Sequence, residues 1–389
     1  MRLAMLIFSG TEMSKVAIVA ILILSITTFK ECSDVNKIEG LIRGKIAEVG
    51  KRFAPDRRTS IWDIKVEYSR GKFIISGETD CREGLESLFG VLETEFPRLE
   101  FRSEVLVLPE DVLGEESYGL IVNSVAHLRR EPSVSSEMVS QTLMGHMVRL
   151  LKEECNYYLV KCDDGYIGWV SSSSVARGRK DFVDKWFGDD LYVFYDVEGR
   201  VYQEPSYNSY PISDIVLGNI VRFIGRKGNW FYVVLPDGRK GFVPRYQMVS
   251  YKKYKAFRPT PRSVVHLAKK LLGRPYLWGG TSTKAMDCSG FVQTVFRNVG
   301  LLLPRDANMQ VNVGVDVDTS NSFEKLKPGD LLFFGPDENR ITHVGIYIGN
   351  CKFIHSSGRV KISSLVSSAE NYSEGGKKSL RRVKRVIQD

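Results

Sequence analysis

Apolar residues near the C-terminus predict a helix that begins at a cysteine. Four of them recur at helical spacing: Val292, Val295, Phe296 and Val299. Asp287 is a suitable N-cap and Gly300 a suitable stop, so the helix should begin at or just before Cys288. Unpaired N–H groups and the positive end of the helix dipole would then favour the thiolate of Cys288. Although most cysteines in folded chains are small buried apolar residues, this position makes Cys288 a candidate nucleophile.

Two strand-like segments follow this helix, and each carries a histidine. Residues 342–350 have the pattern of a strand entering a turn, and residues 351–357 that of a returning strand, so His343 and His355 should lie near one end of a hairpin. A two-residue turn at Gly349 and Asn350 would put the histidines on opposite faces, whereas a three-residue loop over 349–351 would put them on one face. A functional pair requires the three-residue loop. The competing interpretation, a metal site, lacks further ligands at suitable spacing.

An internal repeat occupies the middle of the chain. Without a gap, one segment aligns with another 73 residues later: Glu131 with Glu204, Gly145 with Gly218, Asn156 with Asn229, Gly165 with Gly238, Gly168 with Gly241 and Trp169 with Phe242. Each copy has short alternating strands joined by an Asp-Gly turn, which is the pattern of a small β-barrel. The copies resemble bacterial SH3 domains, and we place them at residues 115–180 and 185–252.

Two further domains flank the repeat. Residues 34–112 carry two helical patterns and three strand-like runs, which predict a small α/β domain without recognisable chemistry. Residues 257–261 form a linker, and a helix over 263–272 opens the last domain, residues 258–389. The predicted fold class is therefore α+β, with the candidate site in the last domain.

The first 33 residues predict a signal peptide. Residues 16–26 form an apolar run that is too short to span a bilayer comfortably, preceded by Lys15 and followed by a polar stretch. Met13 would be a more typical start than Met1. A lipid anchor at Cys32 stays open, although residues 29–31 lack the small side chains of a lipoprotein signal. We expect export to the periplasm or cell envelope, with no membrane span after cleavage of the signal.

The composition argues against a disordered chain and against a chain embedded in a membrane. The 389 residues are 43% hydrophobic and 26% charged, which is typical of several modest folded domains. The net charge of +9 favours anionic surroundings such as nucleic acid, acidic lipid or a cell-wall polymer, but much of it lies within residues 377–385, and no nucleic-acid motif is present. The six scattered cysteines predict neither a disulfide scaffold nor a metal site. Cys155 and Cys162 could form a disulfide or remain two free thiols, and the sequence is compatible with both.

We expect the protein to be a monomer.

Motifs in the last domain carry a specific resemblance. In order, they are the sequences Tyr-Leu-Trp-Gly-Gly from Tyr276, Asp-Cys-Ser-Gly-Phe-Val from Asp287, Leu-Pro-Arg from Leu303, Leu-Lys-Pro-Gly-Asp-Leu from Leu326, His-Val-Gly-Ile-Tyr from His343 and Phe-Ile-His from Phe353. At these residues the chain resembles the NlpC-type cysteine peptidases of bacterial cell walls, which have a papain-like fold. The resemblance implies Cys288 as nucleophile, His343 as general base and acid, and His355 as its orienting partner. It also places Tyr276 beside the oxyanion, with packing as the alternative, and implies no metal or cofactor.

The whole arrangement is similar to YkfC-like γ-D-glutamyl-L-diamino-acid endopeptidases, which cut murein peptides with a free N-terminal L-alanine. An ammonium group in a closed site needs an anionic partner, and Asp287 is one candidate. In similar enzymes the first SH3-like unit closes the cleft with a glutamate and a tyrosine, and Glu131 and Tyr166 fit here. Ser289 and Arg305 could receive substrate carboxylates.

The sequence departs from the family pattern at two positions, and two functions other than endopeptidase stay open. Ala307 stands where relatives often supply a serine, and Cys351 replaces a usual glycine in the hairpin turn. One rival is a wall-binding protein with a silent peptidase domain. The other is a cell-wall amidase or acyltransferase that uses the same thiol at a different bond.

Overall fold

The computed structural model describes residues 35–319 and 323–387, which form two compact units, residues 35–108 and residues 109–387. The predicted signal peptide and Cys32 lie outside the described residues. Within those residues, no helix is both long enough and apolar enough to cross a membrane.

The N-terminal unit is a three-stranded sheet packed against two helices. In chain order its elements are α1 (35–53), β1 (Trp62–Ser69), β2 (Lys72–Thr79), α2 (Arg82–Glu95) and β3 (Phe101–Val107). The central β2 pairs antiparallel with β1 and parallel with β3. Ile42 of α1 and Leu88 and Leu92 of α2 are buried against the apolar face of the sheet. The helical and strand patterns of this region thus produced the expected elements.

Two seven-stranded barrels follow. The first barrel consists of β4 (Tyr118–Ile121), β5 (Val125–Arg129), β6 (Met138–Leu143), β7 (Met147–Glu154), β8 (Tyr157–Cys162), β9 (Ile167–Ser171) and β10 (Val175–Gly178). A short helix, α3 (Lys180–Trp186), leads to the second barrel. That barrel consists of β11 (Leu191–Phe194), β12 (Glu198–Tyr202), β13 (Pro211–Val216), β14 (Ile220–Lys227), β15 (Trp230–Val234), β16 (Lys240–Pro244) and β17 (Met248–Ser250).

The barrels confirm the sequence repeat. Strand order is β10-β4-β7-β8-β9-β5-β6 in the first and β17-β11-β14-β15-β16-β12-β13 in the second, which is the same topology. Every strand of the second barrel begins 73 residues after its counterpart. The Asp-Gly turns have Gly165 and Gly238 at positive φ, +83° and +87°. A β-hairpin turn of this type requires that conformation, which glycine adopts without a steric penalty.

The C-terminal domain packs two ten-residue helices, α5 (Pro261–Lys270) and α6 (Cys288–Arg297), against a six-stranded sheet. Its elements are α4 (Tyr251–Lys255), α5 (Pro261–Lys270), β18 (Thr281–Ser282), β19 (Ala285–Met286), α6 (Cys288–Arg297), α7 (Ala307–Gln310), β20 (Val315–Asp316), β21 (Leu331–Phe334), β22 (His343–Gly349), β23 (Lys352–Ser357), β24 (Arg359–Ser364), α8 (Glu374–Ser379) and β25 (Leu380–Arg385). The sheet order is β20-β25-β21-β22-β23-β24. Val292 and Phe296 of α6 share one core with Val344 and Ile346 of β22. This packing holds the start of α6 beside the start of β22.

The helix α5 begins earlier than its apolar pattern predicts. Thr260 is the N-cap and forms a reciprocal capping box with Ser263, and Pro261 occupies the first turn. The cap and the proline favour a start at Pro261, two residues before the predicted one. The short helices α3 and α4 were not predicted, because stretches of seven and five residues are too short to show periodicity.

Both barrels pack against the C-terminal domain. In the first barrel, the Gln141 side-chain oxygen accepts a hydrogen bond from the backbone N–H of Thr281 at 2.9 Å. In the second, Asp214 forms an ion pair with Lys284. The barrels therefore form part of the surroundings of the segment that leads into Cys288.

Candidate active site

Cys288 is the first residue of α6, as the sequence predicts. The Asp287 side chain caps the helix, because its Oδ1 accepts a hydrogen bond from the backbone N–H of Gly290 at 2.7 Å. The Cys288 side chain is 9% exposed, and its sulfur interacts with the backbone N–H groups of Ser289 and Val344. Since Val344 follows His343 directly, the sulfur lies beside the start of β22.

The protonation state of Cys288 differs from the expectation. Burial, followed by the nearby Asp287 carboxylate, raises the pKa of the thiol to about 11, outweighing the two N–H groups and Arg305. From the sequence, we expected the helix terminus to favour the thiolate. That expectation was wrong for the resting site, because burial of the sulfur outweighs the effect of the helix terminus. At neutral pH the thiol is therefore protonated.

The two histidines form a hydrogen-bonded pair on one face of the sheet. His343 Nε2 lies 2.8 Å from His355 Nδ1, and His355 Nε2 lies 3.0 Å from the Ser363 Oγ. The predicted three-residue loop was wrong in detail: the turn residues are Asn350 and Cys351, both at positive φ, and the ladder between β22 and β23 is irregular between Tyr347 and Gly349. This β-bulge supplies the extra residue that brings the histidines to one face.

The hydrogen bonds constrain which ring nitrogen carries a proton. When both rings are neutral and His343 Nδ1 is the free acceptor, His343 Nε2–H donates to His355 Nδ1, and His355 Nε2–H donates to Ser363. Ser363 was not predicted as a site residue. The Gly358 turn between β23 and β24 is the sequence feature that could have indicated it, since a hairpin there places residue 363 diagonally across from residue 355 on the same face.

Both imidazoles are held neutral by their surroundings. Burial, followed by the positive charge of Lys361, lowers the pKa of His343 to about 4, while Asp287 opposes this shift. Burial, followed by His343 and Lys361, lowers the pKa of His355 to about 3. The resting site therefore contains a neutral thiol and a neutral imidazole pair, and a thiolate forms when the thiol proton moves to a histidine.

Asp287 and Arg305 form a buried ion pair behind the nucleophile. The Asp287 Oδ2 also accepts a hydrogen bond from the Gly279 backbone at 2.9 Å, and its Oδ1 accepts one from the Ser289 hydroxyl at 3.2 Å. Arg305 is 2% exposed and also donates to Ser289 at 2.9 Å and to Ser140 of the first barrel at 3.0 Å. We therefore correct the expectation that Arg305 receives a substrate carboxylate, because its guanidinium already binds Asp287. The carboxylate of Asp287 is likewise engaged.

The remaining predicted residues lie at different distances from this centre. Tyr276 is partly buried, and burial, followed by Cys288 and Asp287, raises the pKa of its phenol to about 12, so the hydroxyl stays protonated near the thiol. Tyr166 of the first barrel is 6% exposed, and its hydroxyl donates to Asp306 at 3.3 Å, beside Arg305. Glu131 is exposed, and its backbone N–H donates to Ser136 within its own hairpin at 3.0 Å.

A contact that the sequence did not indicate joins this hairpin to the C-terminal domain. The Trp278 ring N–H donates to the Glu137 carboxylate at 2.8 Å, and Glu137 also pairs with Arg130 at 2.7 Å. The backbones approach closely next to Trp278, since a Cβ built at Gly279 would lie 2.4 Å from the Met138 carbonyl oxygen. The first barrel is thus held against the segment that carries Tyr276.

Comparisons with known proteins agree with this geometry. Residues 273–376 match the NlpC/P60 family, and residues 128–175 match the bacterial dipeptidyl-peptidase SH3 domain. The γ-D-glutamyl-L-lysine dipeptidyl-peptidase of Bacillus cereus is 27% identical over 234 residues, which cover 57% of this chain and 68% of that protein. The protein of the same name from Bacillus subtilis is 28% identical over 265 residues, covering 64% and 81%.

A solved structure supports the fold. The crystal structure of an NlpC/P60 family protein from Bacillus cereus superposes with a TM-score of 0.61 at 22% identity, covering 70% of this chain and 100% of that one. This chain thus combines three features. They are a helix that begins at a cysteine, a histidine pair on the adjacent strands β22 and β23, and an SH3 domain of the dipeptidyl-peptidase type. Residues 273–376 of the chain therefore form an NlpC/P60 domain, and residues 128–175 an SH3 domain of the bacterial dipeptidyl-peptidase type.

Proposed function

We propose that the protein is a cysteine endopeptidase that hydrolyses the γ-D-glutamyl-L-diamino-acid bond of small murein peptides with a free N-terminal L-alanine. The observation that carries this proposal is the hydrogen-bonded series from Ser363 through His355 to His343 beside the start of the Cys288 helix. The relatives named as γ-D-glutamyl-L-lysine dipeptidyl-peptidases support the choice of bond.

The proposed reaction begins with proton transfer from the thiol. His343 Nδ1 takes the Cys288 proton while the sulfur attacks the γ-glutamyl carbonyl carbon, and His355 holds His343 in the tautomer that accepts it. The oxyanion is stabilised by the Cys288 backbone N–H and by the Tyr276 hydroxyl, which is a donor because it stays protonated. Neither step requires a metal ion or a cofactor.

The second half of the reaction returns the enzyme to its resting state. The tetrahedral intermediate collapses, the C–N bond breaks, and the proton held on His343 passes to the departing amine. Water then attacks the thioester with His343 as base, which releases the carboxylate product and restores the neutral thiol.

The first barrel is proposed to limit the substrate to short free peptides. Its hairpin between β5 and β6 is fixed to the catalytic domain through Glu137 and Trp278, and Glu131 lies on this hairpin. An exposed carboxylate there can meet the ammonium group of an N-terminal alanine, and Tyr166 belongs to the same barrel, directly before β9. Such an enzyme would act as a monomer in the cell envelope on peptides released from the wall.

Mass spectrometry of the products from defined peptides tests the bond. L-Ala-γ-D-Glu-L-Lys and its diaminopimelate counterpart should give L-Ala-D-Glu and the free diamino acid with the native protein. Cys288→Ala should abolish hydrolysis, whereas Cys155→Ala, an exposed free cysteine of the first barrel, should leave it intact. Persistent hydrolysis by Cys288→Ala, or cleavage between L-alanine and D-glutamate, would refute the proposed reaction.

A second comparison tests the role of the barrel. Glu131→Gln should lose the preference for a free over an N-acetylated alanine, while Glu204→Gln, the repeat-related change in the second barrel, should keep it. If both variants retain the native preference, Glu131 does not recognise the ammonium group.

A further inference from the structure

The strand β24 presents two positive charges on the face of the sheet that carries the histidines. His355 of β23 lies directly opposite Lys361, and Ser357 lies opposite Arg359. Since residues directly opposite each other on antiparallel strands face the same side, both cations share a face with His355. Arg359 also forms a backbone bridge with Pro275, next to Tyr276. The two cations therefore border the candidate catalytic residues.

Lys361 carries a positive charge that pairs with no acidic side chain in the part of the chain that the structure describes. It is partly buried, and its charge acts on both His343 and His355. Within residues 35–319 and 323–387, neither Lys361 nor the exposed Arg359 takes part in an ion pair or a side-chain hydrogen bond. The Asp287 carboxylate, whose charge acts on His343, already binds Arg305. A partly desolvated ammonium group without a counter-ion is unfavourable unless an anion binds to it.

We propose that Lys361 and Arg359 bind the carboxylate of the amino acid that leaves when the scissile bond is cut. This inference rests on the proposed function and extends it to the leaving-group side of the cleft. In an α-amino acid the carboxylate is attached to the carbon next to the departing nitrogen. A leaving amine near His343 therefore carries its carboxylate towards the neighbouring strands.

The proposal predicts which peptides are cut best. A peptide that ends at the diamino acid has a free α-carboxylate at this position, whereas a longer peptide or a C-terminal amide has an uncharged carbonyl group. Charge-assisted hydrogen bonds from Arg and Lys to a carboxylate are about twice as strong as neutral ones. The site should therefore favour tripeptides that end at the diamino acid. This preference should hold for both lysine and diaminopimelate, because both have the α-carboxylate.

The test compares L-Ala-γ-D-Glu-L-Lys with its C-terminal carboxamide. Rates are measured at about pH 8, where both histidines are neutral in the native and variant proteins. Native protein should prefer the acid by about tenfold or more in kcat/KM, as the loss of one charged hydrogen bond implies. Lys361→Gln should reduce this ratio to near unity by slowing only the acid, and Arg359→Gln should reduce it partly. Lys352→Gln, the same charge change at the first residue of β23, should leave the ratio unchanged.

Three outcomes would overturn the inference. They are equal rates for the two peptides with native protein, an equal loss for both peptides in Lys361→Gln, and an unchanged preference in Lys361→Gln. Circular dichroism of each variant verifies folding. Failure of the proposed function is distinguishable, since it would appear as the absence of γ-glutamyl cleavage of either peptide by native protein.

Discussion

His343 Nε2 and His355 Nδ1 are 2.8 Å apart, so one ring nitrogen of the candidate base is committed to the other histidine. Only Nδ1 of His343 then remains available to a thiol. His355 Nδ1 accepts from His343 when the Nε2–H of His355 donates to Ser363 at 3.0 Å. In this arrangement, hydrogen bonds to β23 and β24 set the tautomer of His343.

Substitution of His355 should impair catalysis by releasing His343 from this tautomer. His355→Ala is expected to lower kcat/KM by about 10²-fold, the scale of a lost general acid–base contribution. His355→Asn should recover part of the activity, since its carbonyl oxygen can accept the hydrogen bond from Nε2–H. Ser363→Ala should have a smaller effect. Steady-state kinetics on a γ-glutamyl tripeptide would show these differences, and equal rates for the Ala and Asn variants would contradict them.

The acidic limit of activity should lie well below the usual range for histidine. Burial and Lys361 lower the pKa of His343 to about 4, so the ring is a competent base above that pH and loses this capacity as the pH falls through it. We expect kcat/KM to decrease about tenfold per pH unit below about pH 4. The pH profile of initial rates measures this directly. If kcat/KM instead decreased around pH 6.5, the pKa of His343 would not be lowered by its surroundings.

Tyr276→Phe should slow the chemical step without weakening binding. The hydroxyl is protonated because burial, Cys288 and Asp287 raise its pKa to about 12, and it can donate to a developing oxyanion. Loss of one such donor typically costs about 10²-fold in kcat. KM should change little, and the midpoint temperature of thermal unfolding should stay the same. A variant with native kcat would assign Tyr276 to packing.

Removal of Arg305 should destabilise the domain. Arg305→Met leaves the buried Asp287 carboxylate without its partner, which typically costs about 3–5 kcal/mol. Because Asp287 also caps α6, the start of the helix that carries Cys288 should loosen. The double variant Asp287→Asn/Arg305→Met should recover much of the stability. Thermal unfolding, monitored by circular dichroism, compares the native protein with the single and the double variant. If Arg305→Met were as stable as the native protein, the ion pair would not contribute to stability as described.

Features encoded by neighbouring residues could be predicted from the sequence. The cap at Asp287, the apolar face that follows it and the repeated glycines of the barrels each depend on local spacing, and the structure has them where they were expected. The turn between β22 and β23 was harder to predict. Both two- and three-residue loops fit the sequence there, and only the packed sheet selects the bulge.

Features that depend on burial could not be predicted in the same way. Asp287 and Arg305 are 18 residues apart, and no periodicity connects them, so each was assigned separately to substrate. The charge state of Cys288 was misjudged for a related reason. The helix terminus is visible in the sequence, whereas the desolvation of the sulfur arises from β22 folding over it.

The close approach of Gly279 to Met138 leaves no room for a side chain at the residue after Trp278, where φ is +75°. Under the proposed function, a first barrel held at this point would keep polymeric peptidoglycan away from the catalytic residues.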